Sequence, residues 1–139
     1  MCIRDSHRPH AKTHKSPVVA QKQIVAGAVG QCCQKVAEAE ILVAGGISDV
    51  LVSNQIVGRR KLDRLAGLAR NANISVCVDD QDNINEINAA AQRFNANIEV
   101  LVEIDIGAGR CGVAPGKAAV ELAKSISKNS NLTLSLIHI

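Results

Sequence analysis

Short apolar runs that take turns with helix-forming stretches constrain the fold of this 139-residue chain more than any other feature. Extended segments are predicted at 28–33, 49–53, 74–78 and 98–104, with a further stub beginning at Leu132. Helices are predicted between them at 17–26, 36–44, 60–69, 82–94 and 117–126. Val50-Leu51-Val52 and Val100-Leu101-Val102 are continuously apolar rather than alternating, the mark of parallel strands covered on both faces. Successive extended segments end at Lys12, Gln34, Asn54, Asp79 and Asp105. These ends lie about two dozen residues apart, one βα unit per interval. The pattern fits an α/β fold, a partial (β/α)8 barrel holding about the first five strands and the start of a sixth. A doubly wound open sheet gives the same alternation and stays open as an alternative.

The punctuation agrees with these elements. Ser16-Pro17 places a capping hydroxyl and a first-turn proline at the start of one helix, and Asp80 or Asp82 can cap another. Gly27, Gly45-Gly46 and Asn71 fall where helix ends need a residue tolerant of positive φ. Lys12, Gln34, Asn54-Gln55, Asp79-Asp80 and the segment 105–110 each follow the carboxyl end of an extended run. In a parallel barrel those ends converge on one rim, where such folds build their sites.

Charge and composition exclude several classes. The formal net charge of +3 is small and dispersed, which argues against nucleic acid as a partner. No run of 18 apolar residues is present and the first residues lack the apolar region of a signal peptide, so neither membrane insertion nor secretion is supported. Of the five cysteines, Cys32, Cys33, Cys77 and Cys111 lie inside the alternating region. None forms a CxxC pair, and the expectation is free thiols in a cytoplasmic protein. Phe94 is the single aromatic residue, which is unusually few for a whole catalytic domain.

The two ends stand apart. Residues 1–6 read MCIRDS and residues 134–139 read LSLIHI. ATG TGT ATA AGA GAC AG encodes the first, and its reverse complement, CTG TCT CTT ATA CAC AT, encodes Leu-Ser-Leu-Ile-His followed by Ile or Met. An inverted repeat of this kind is what a transposon-type sequencing adapter leaves, so both hexapeptides are expected to be translated adapter. The natural domain is then 7–133, a segment of a longer protein, and Cys2, His138 and the apolar tail carry no function.

The segment RPHAKTHK, residues 8–15, gathers two histidines and two lysines where an extended segment hands over to a helix. A lysine there is placed to act as an amine nucleophile, its pKa lowered by neighbouring cations and partial burial. A solvated basic loop explains the octapeptide alone equally well. RPHAKTHK, GAVGQCCQKVAEAE, DVLVSNQIVG and VLVEIDIGAGRCGVAPG together resemble the fold-type-III pyridoxal-phosphate enzymes. The likeness is to the branch with D-threonine aldolase, 3-hydroxy-D-aspartate aldolase and eukaryotic-type D-serine dehydratase, whose N-terminal domain is an alanine-racemase-like barrel. It spans essentially all of residues 7–133, and the second and fourth segments look more like the aldolases than the dehydratases.

That resemblance implies that Lys12 carries pyridoxal 5'-phosphate as a Schiff base. It implies that Arg110 lies near the cofactor's phenolic oxygen or the substrate carboxylate, for which a planar guanidinium fork is suited. His10 is a further cofactor-binding candidate, because two residues along a strand places it on the same side as Lys12. Gln34 is another, with an amide at the rim. A structural hydrogen bond explains His10 and Gln34 equally well, and helix capping explains the Asp79-Asp80 pair better than a catalytic role. Cys33 and Cys111 read as small packed residues, and the glycines around Arg110 as sharp backbone turns rather than a phosphate fingerprint. No metal ligands are assigned within the chain; the resemblance puts a divalent metal in a C-terminal domain that this sequence lacks. The implied activity is cleavage of a D-β-hydroxy-α-amino acid by a cytoplasmic homodimer. D-serine dehydration, racemisation and non-catalytic pyridoxal-phosphate homeostasis are the alternatives.

Overall fold

A computed structural model describes residues 7–138, with side-chain environments given through residue 135. The elements run α1 (Pro17–Val25), β1 (Gln31–Cys33), α2 (Val36–Ala44), β2 (Asp49–Val52) and α3 (Arg59–Leu68). They continue with β3 (Asn73–Val78), α4 (Gln81–Phe94), β4 (Ile98–Glu103), α5 (Lys117–Ser127) and β5 (Leu132–His138). All five strands form one parallel sheet in the order β1-β2-β3-β4-β5. Strand order never reverses, so the sheet has no switch point of the doubly wound kind and curls in one direction. This removes the open-sheet alternative and leaves a partial barrel.

Local sequence explains where the helices begin and end. Ser16 takes the N–H of Val19 on its hydroxyl at 3.4 Å, ahead of Pro17. The Asp80 carboxylate accepts the N–H groups of Asp82 and Asn83 at 2.9 and 3.0 Å and starts α4. Gly27 and Gly46 adopt positive φ after α1 and α2, as predicted, but Asn71 does not. The left-handed asparagine is instead Asn95, with φ of 49°, which closes α4.

Strand alternation splits the sheet into two chemically different faces. Val50, Val52, Ile74, Val76, Val78, Ile98, Val100 and Val102 point to the helix layer and form the main core with Leu62, Leu65, Ile84, Ile87 and Ile126. Cys32, Leu51, Cys77 and Leu101 form a separate buried cluster on the other face, the inside of the barrel. Ser75 and Glu99, paired at 3.1 Å, share that inner face through the register Leu51↔Ser75↔Glu99.

Two stretches differ from the sequence expectation. The extended segment before Lys12 is reduced to a single parallel bridge, His10↔Cys32, with the Cys32 N–H on the Pro9 carbonyl at 2.8 Å. Proline has no N–H to extend the ladder, and a tight turn over 11–14 follows at once, closed by Lys15 N–H on the Ala11 carbonyl at 2.7 Å. The stub at Leu132 is instead a full strand. Its backbone continues beside β4 through His138, with an irregularity in register between Val100 and Val102. Residues 1–6 and Ile139 of the two end hexapeptides lie outside the described residues.

Candidate functional site

The carboxyl edge of the sheet gathers the predicted polar residues. Four of its features bear on chemistry. The first is the turn that follows His10. The ring Nδ1 of His10 accepts the backbone N–H of Lys12 at 3.1 Å, so the imidazole and the lysine are joined through a turn rather than along a strand. The opposite nitrogen, Nε2, lies 3.4 Å from the hydroxyl of Ser53 at the end of β2. Ser53 in turn donates to the Cys33 carbonyl at 3.3 Å. Because Nδ1 must be an acceptor, His10 is neutral with its proton on Nε2. Burial lowers its pKa below the usual imidazole value and the nearby Lys12 charge lowers it further, with Glu38 acting in the opposite sense.

Lys12 itself is exposed, not partly buried, because its turn projects beyond the strand ends. Among the described residues it forms no ion pair, whereas its neighbour Lys15 is held 3.5 Å from the Glu38 carboxylate. The Lys12 charge is felt both at His10 and at Cys32. Cys32 belongs to the inner-face cluster and its carbonyl accepts the Ala11 N–H at 2.7 Å, so the turn that carries Lys12 is anchored beside the barrel interior. A primary amine kept clear of carboxylates, on a turn fixed by a neutral imidazole, has the chemistry needed to condense with an aldehyde. The residues present therefore fit a carbonyl cofactor at Lys12.

Gln34 sits elsewhere on the rim. It lines a cleft of about 410 Å³ with Lys35, Asn54, Gln55 and Lys61, and its N–H donates to Glu38 at 3.0 Å. Glu38 thus holds both the Gln34 backbone and Lys15, and its carboxylate pKa lies below the usual range; burial opposes that shift while the Gln34 N–H and Lys15 drive it.

Arg110 is exposed on the loop after β4. Asp105 accepts the N–H groups of Gly107 and Gly109 at 2.9 and 3.1 Å, which lowers its carboxylate pKa. Asp79 accepts the Gly112 N–H at 2.9 Å, and the backbones of Glu103, Asp105 and Val113 exchange two further bonds at 2.9 Å. Gly112 has φ of 98°, and a Cβ there would stand 2.6 Å from the Asp105 nitrogen; no other residue type fits. The glycines around Arg110 do make the sharp turns predicted for them.

Several contributors at this edge are not evident from the sequence. Ser53 is silent in sequence because it looks like any polar residue after a strand. Glu103 is hidden by its place inside an apolar run, where it projects to the inner face. Its two oxygens accept the Gln55 amide at 2.6 Å and the Cys111 thiol at 3.0 Å. Cys111 is therefore not simply a small packed residue: hydrogen bonding to Glu103 raises its thiol pKa, and Arg110 acts in the opposite sense. Cys33 does match the packing expectation, fully buried with its thiol pushed up to about 12 by burial. All four described cysteines are free.

A parallel partial barrel with unreversed strand order defines a class of fold, and comparison with known proteins agrees with it. The family described as alanine racemase, N-terminal domain, matches residues 6–138, and the chain belongs to that family. It is 50% identical over 129 residues to 3-hydroxy-D-aspartate aldolase of Paracoccus denitrificans, covering 91% of this chain and 33% of that protein. It is also 50% identical over 117 residues to D-threonine aldolase of an Arthrobacter species, covering 84% of this chain and 31% of the relative. The solved D-threonine aldolase of Filomicrobium marinum superposes with a TM-score of 0.94 at 48% identity, over 96% of this chain and 36% of that one. The chain thus spans about a third of the length of the relatives it matches. Among the described residues no helix is long and apolar enough to cross a membrane.

Proposed function

We propose that this chain is the cofactor-anchoring part of a pyridoxal-phosphate-dependent lyase that cleaves D-β-hydroxy-α-amino acids into an amino acid such as glycine and an aldehyde-type product. The observation that carries the reading is the exposed Lys12, without an ion pair among the described residues and on a turn held by neutral His10, in a partial barrel half-identical to two such aldolases.

In this reading Lys12 supplies the amine that tethers the cofactor and later moves a proton at its Nζ. His10 keeps the Lys12 turn in place, and Arg110 presents its fork to an anionic oxygen of cofactor or substrate. Gln34 offers a further amide from the neighbouring cleft. When bound, pyridoxal phosphate supplies an electron sink for the charge left on Cα as the Cα–Cβ bond opens. A divalent metal that polarised the β-hydroxyl would be supplied from outside this chain, to which no metal ligand is assigned. The working form is a cytoplasmic homodimer acting on a small-molecule substrate.

A second reading, dehydration in place of retro-aldol cleavage, has one observation in its favour. The chain is 33% identical over 116 residues to D-threo-3-hydroxyaspartate dehydratase of a Delftia species. Supplying the full-length protein with D-threonine and with 3-hydroxy-D-aspartate separates the two. Glycine with an aldehyde product supports the aldolase, and ammonia with a keto acid supports the dehydratase. Cofactor binding without turnover of either would identify a homeostasis protein instead. We further propose that the natural domain is 7–133; codons at either end unlike the inverted pair above would remove that boundary.

A further inference from the structure

We propose that Glu103 is a positioning residue for Arg110, acting through the Cys111 thiol; this rests on the reading of Arg110 as part of the cofactor or substrate site.

Glu103 closes β4 with its carboxylate on the inner face of the barrel. Among the described residues it pairs with no cation, and its two oxygens are taken up by groups from two different loops. Gln55 reaches it from the loop after β2, and Cys111 from the loop after β4. Cys111 is the residue next to Arg110 in the chain, so its bond to Glu103 fixes the backbone from which the guanidinium projects. Gln55 and Glu103 therefore brace Cys111, and through it the backbone at Arg110. Asp105 and Asp79 hold the loop backbone, but neither touches this side-chain pair. Gly112 packs against the β4 backbone with no room for a Cβ, so the loop has no slack to take up a shift. A carboxylate accepting from an S–H keeps the thiol protonated and held in place as a donor.

A simple structural anchor would be interchangeable with other acceptors and independent of Arg110. A positioning residue would not be. The test uses the full-length protein with its cofactor and the variants Glu103→Gln, Arg110→Lys, their double variant, Cys111→Ala and Cys111→Ser. Glu103→Gln is expected to lower kcat on the order of 10–100-fold, the scale of a misplaced catalytic group, with KM and Tm little changed. The double variant should be no slower than Arg110→Lys alone, because both changes remove one function. Cys111→Ser, which keeps a donor, should retain more activity than Cys111→Ala. Independently of turnover, iodoacetamide should label Cys111 faster at pH 8 in Glu103→Gln, and the pH dependence of the cofactor absorbance should shift in the same direction as in Arg110→Lys.

Multiplying effects of Glu103→Gln and Arg110→Lys would overturn the proposal and leave the Arg110 reading standing. So would normal kinetics for Glu103→Gln alongside an impaired Arg110→Lys. Normal kinetics for Arg110→Lys would overturn both. Should Glu103→Gln fail to fold, Cys111→Ala with wild-type kinetics and spectra would be equally decisive against it.

Discussion

His10 Nδ1 accepts the backbone N–H of Lys12 at 3.1 Å, and this bond exists only while the imidazole is neutral. Burial, then the Lys12 charge, hold the His10 pKa below its ordinary 6.5. The unfolded chain therefore takes up this proton first as pH falls. The stabilisation is complete above pH 6.5 and is lost as pH drops from there through the lowered folded value. An NMR titration of His10 should give a midpoint below 6.5; a midpoint above it would show that the ring is not a committed acceptor. His10→Asn, whose side-chain oxygen can replace Nδ1, should preserve the turn better than His10→Phe.

Arg110→Lys keeps the charge and loses the planar fork. A large loss in turnover is expected, with a Tm within a few degrees of the parent, because the side chain is exposed and contributes little to the core. Steady-state kinetics and a thermal melt on the same preparation measure both. Unchanged turnover would reduce Arg110 to an ordinary surface residue.

The elements of this fold were legible because each follows from short-range rules. The apolar triplets at 50–52 and 100–102 lie inside β2 and β4, and the Ser16 and Asp80 caps set the starts of α1 and α4. What escaped was set either by competing local geometry or by contacts between distant segments. The strand before Lys12 shrank to one bridge because Pro9 and the 11–14 turn compete with the ladder. Asn95 rather than Asn71 takes the left-handed position because α3 finishes without needing it. In the site, Lys12 and His10 are linked by a bond that needs only local sequence. The role of Glu103 depends on Gln55, 48 residues earlier in the chain, and no pattern in either segment announces the pairing.

Gly112→Ala should damage the Arg110 loop from the backbone. A Cβ would press on the Asp105 nitrogen at 2.6 Å and the Ile104 carbonyl carbon at 2.8 Å, at a positive φ that alanine resists. The expected cost is about 1–3 kcal/mol in stability, measured by chemical denaturation, with turnover reduced as well. Alanine tolerated without change in either would mean that the loop yields freely.

The 139-residue chain by itself should be inactive and poorly folded. β5 and the β1 side both present sheet edges, and the inner cluster of Cys32, Leu51, Cys77 and Leu101 covers only part of a barrel interior. The segment at 134–139 adds a short apolar, β-prone stretch and with it an aggregation hazard. Expression of residues 1–139 followed by size-exclusion chromatography and urea unfolding should give aggregates or a non-cooperative transition. A soluble monomer with cooperative unfolding and bound pyridoxal phosphate would contradict this.

Borohydride reduction of the full-length protein followed by peptide mapping tests the assignment of the cofactor to Lys12. Reduction fixes the cofactor to whichever amine holds it. Among the described residues Lys12 forms no ion pair, while Lys15 is engaged by Glu38. The pyridoxyl group should therefore map to Lys12, and Lys12→Ala should abolish both cofactor absorbance and turnover. A label on Lys15 or Lys35, with Lys12 unmodified, would contradict it.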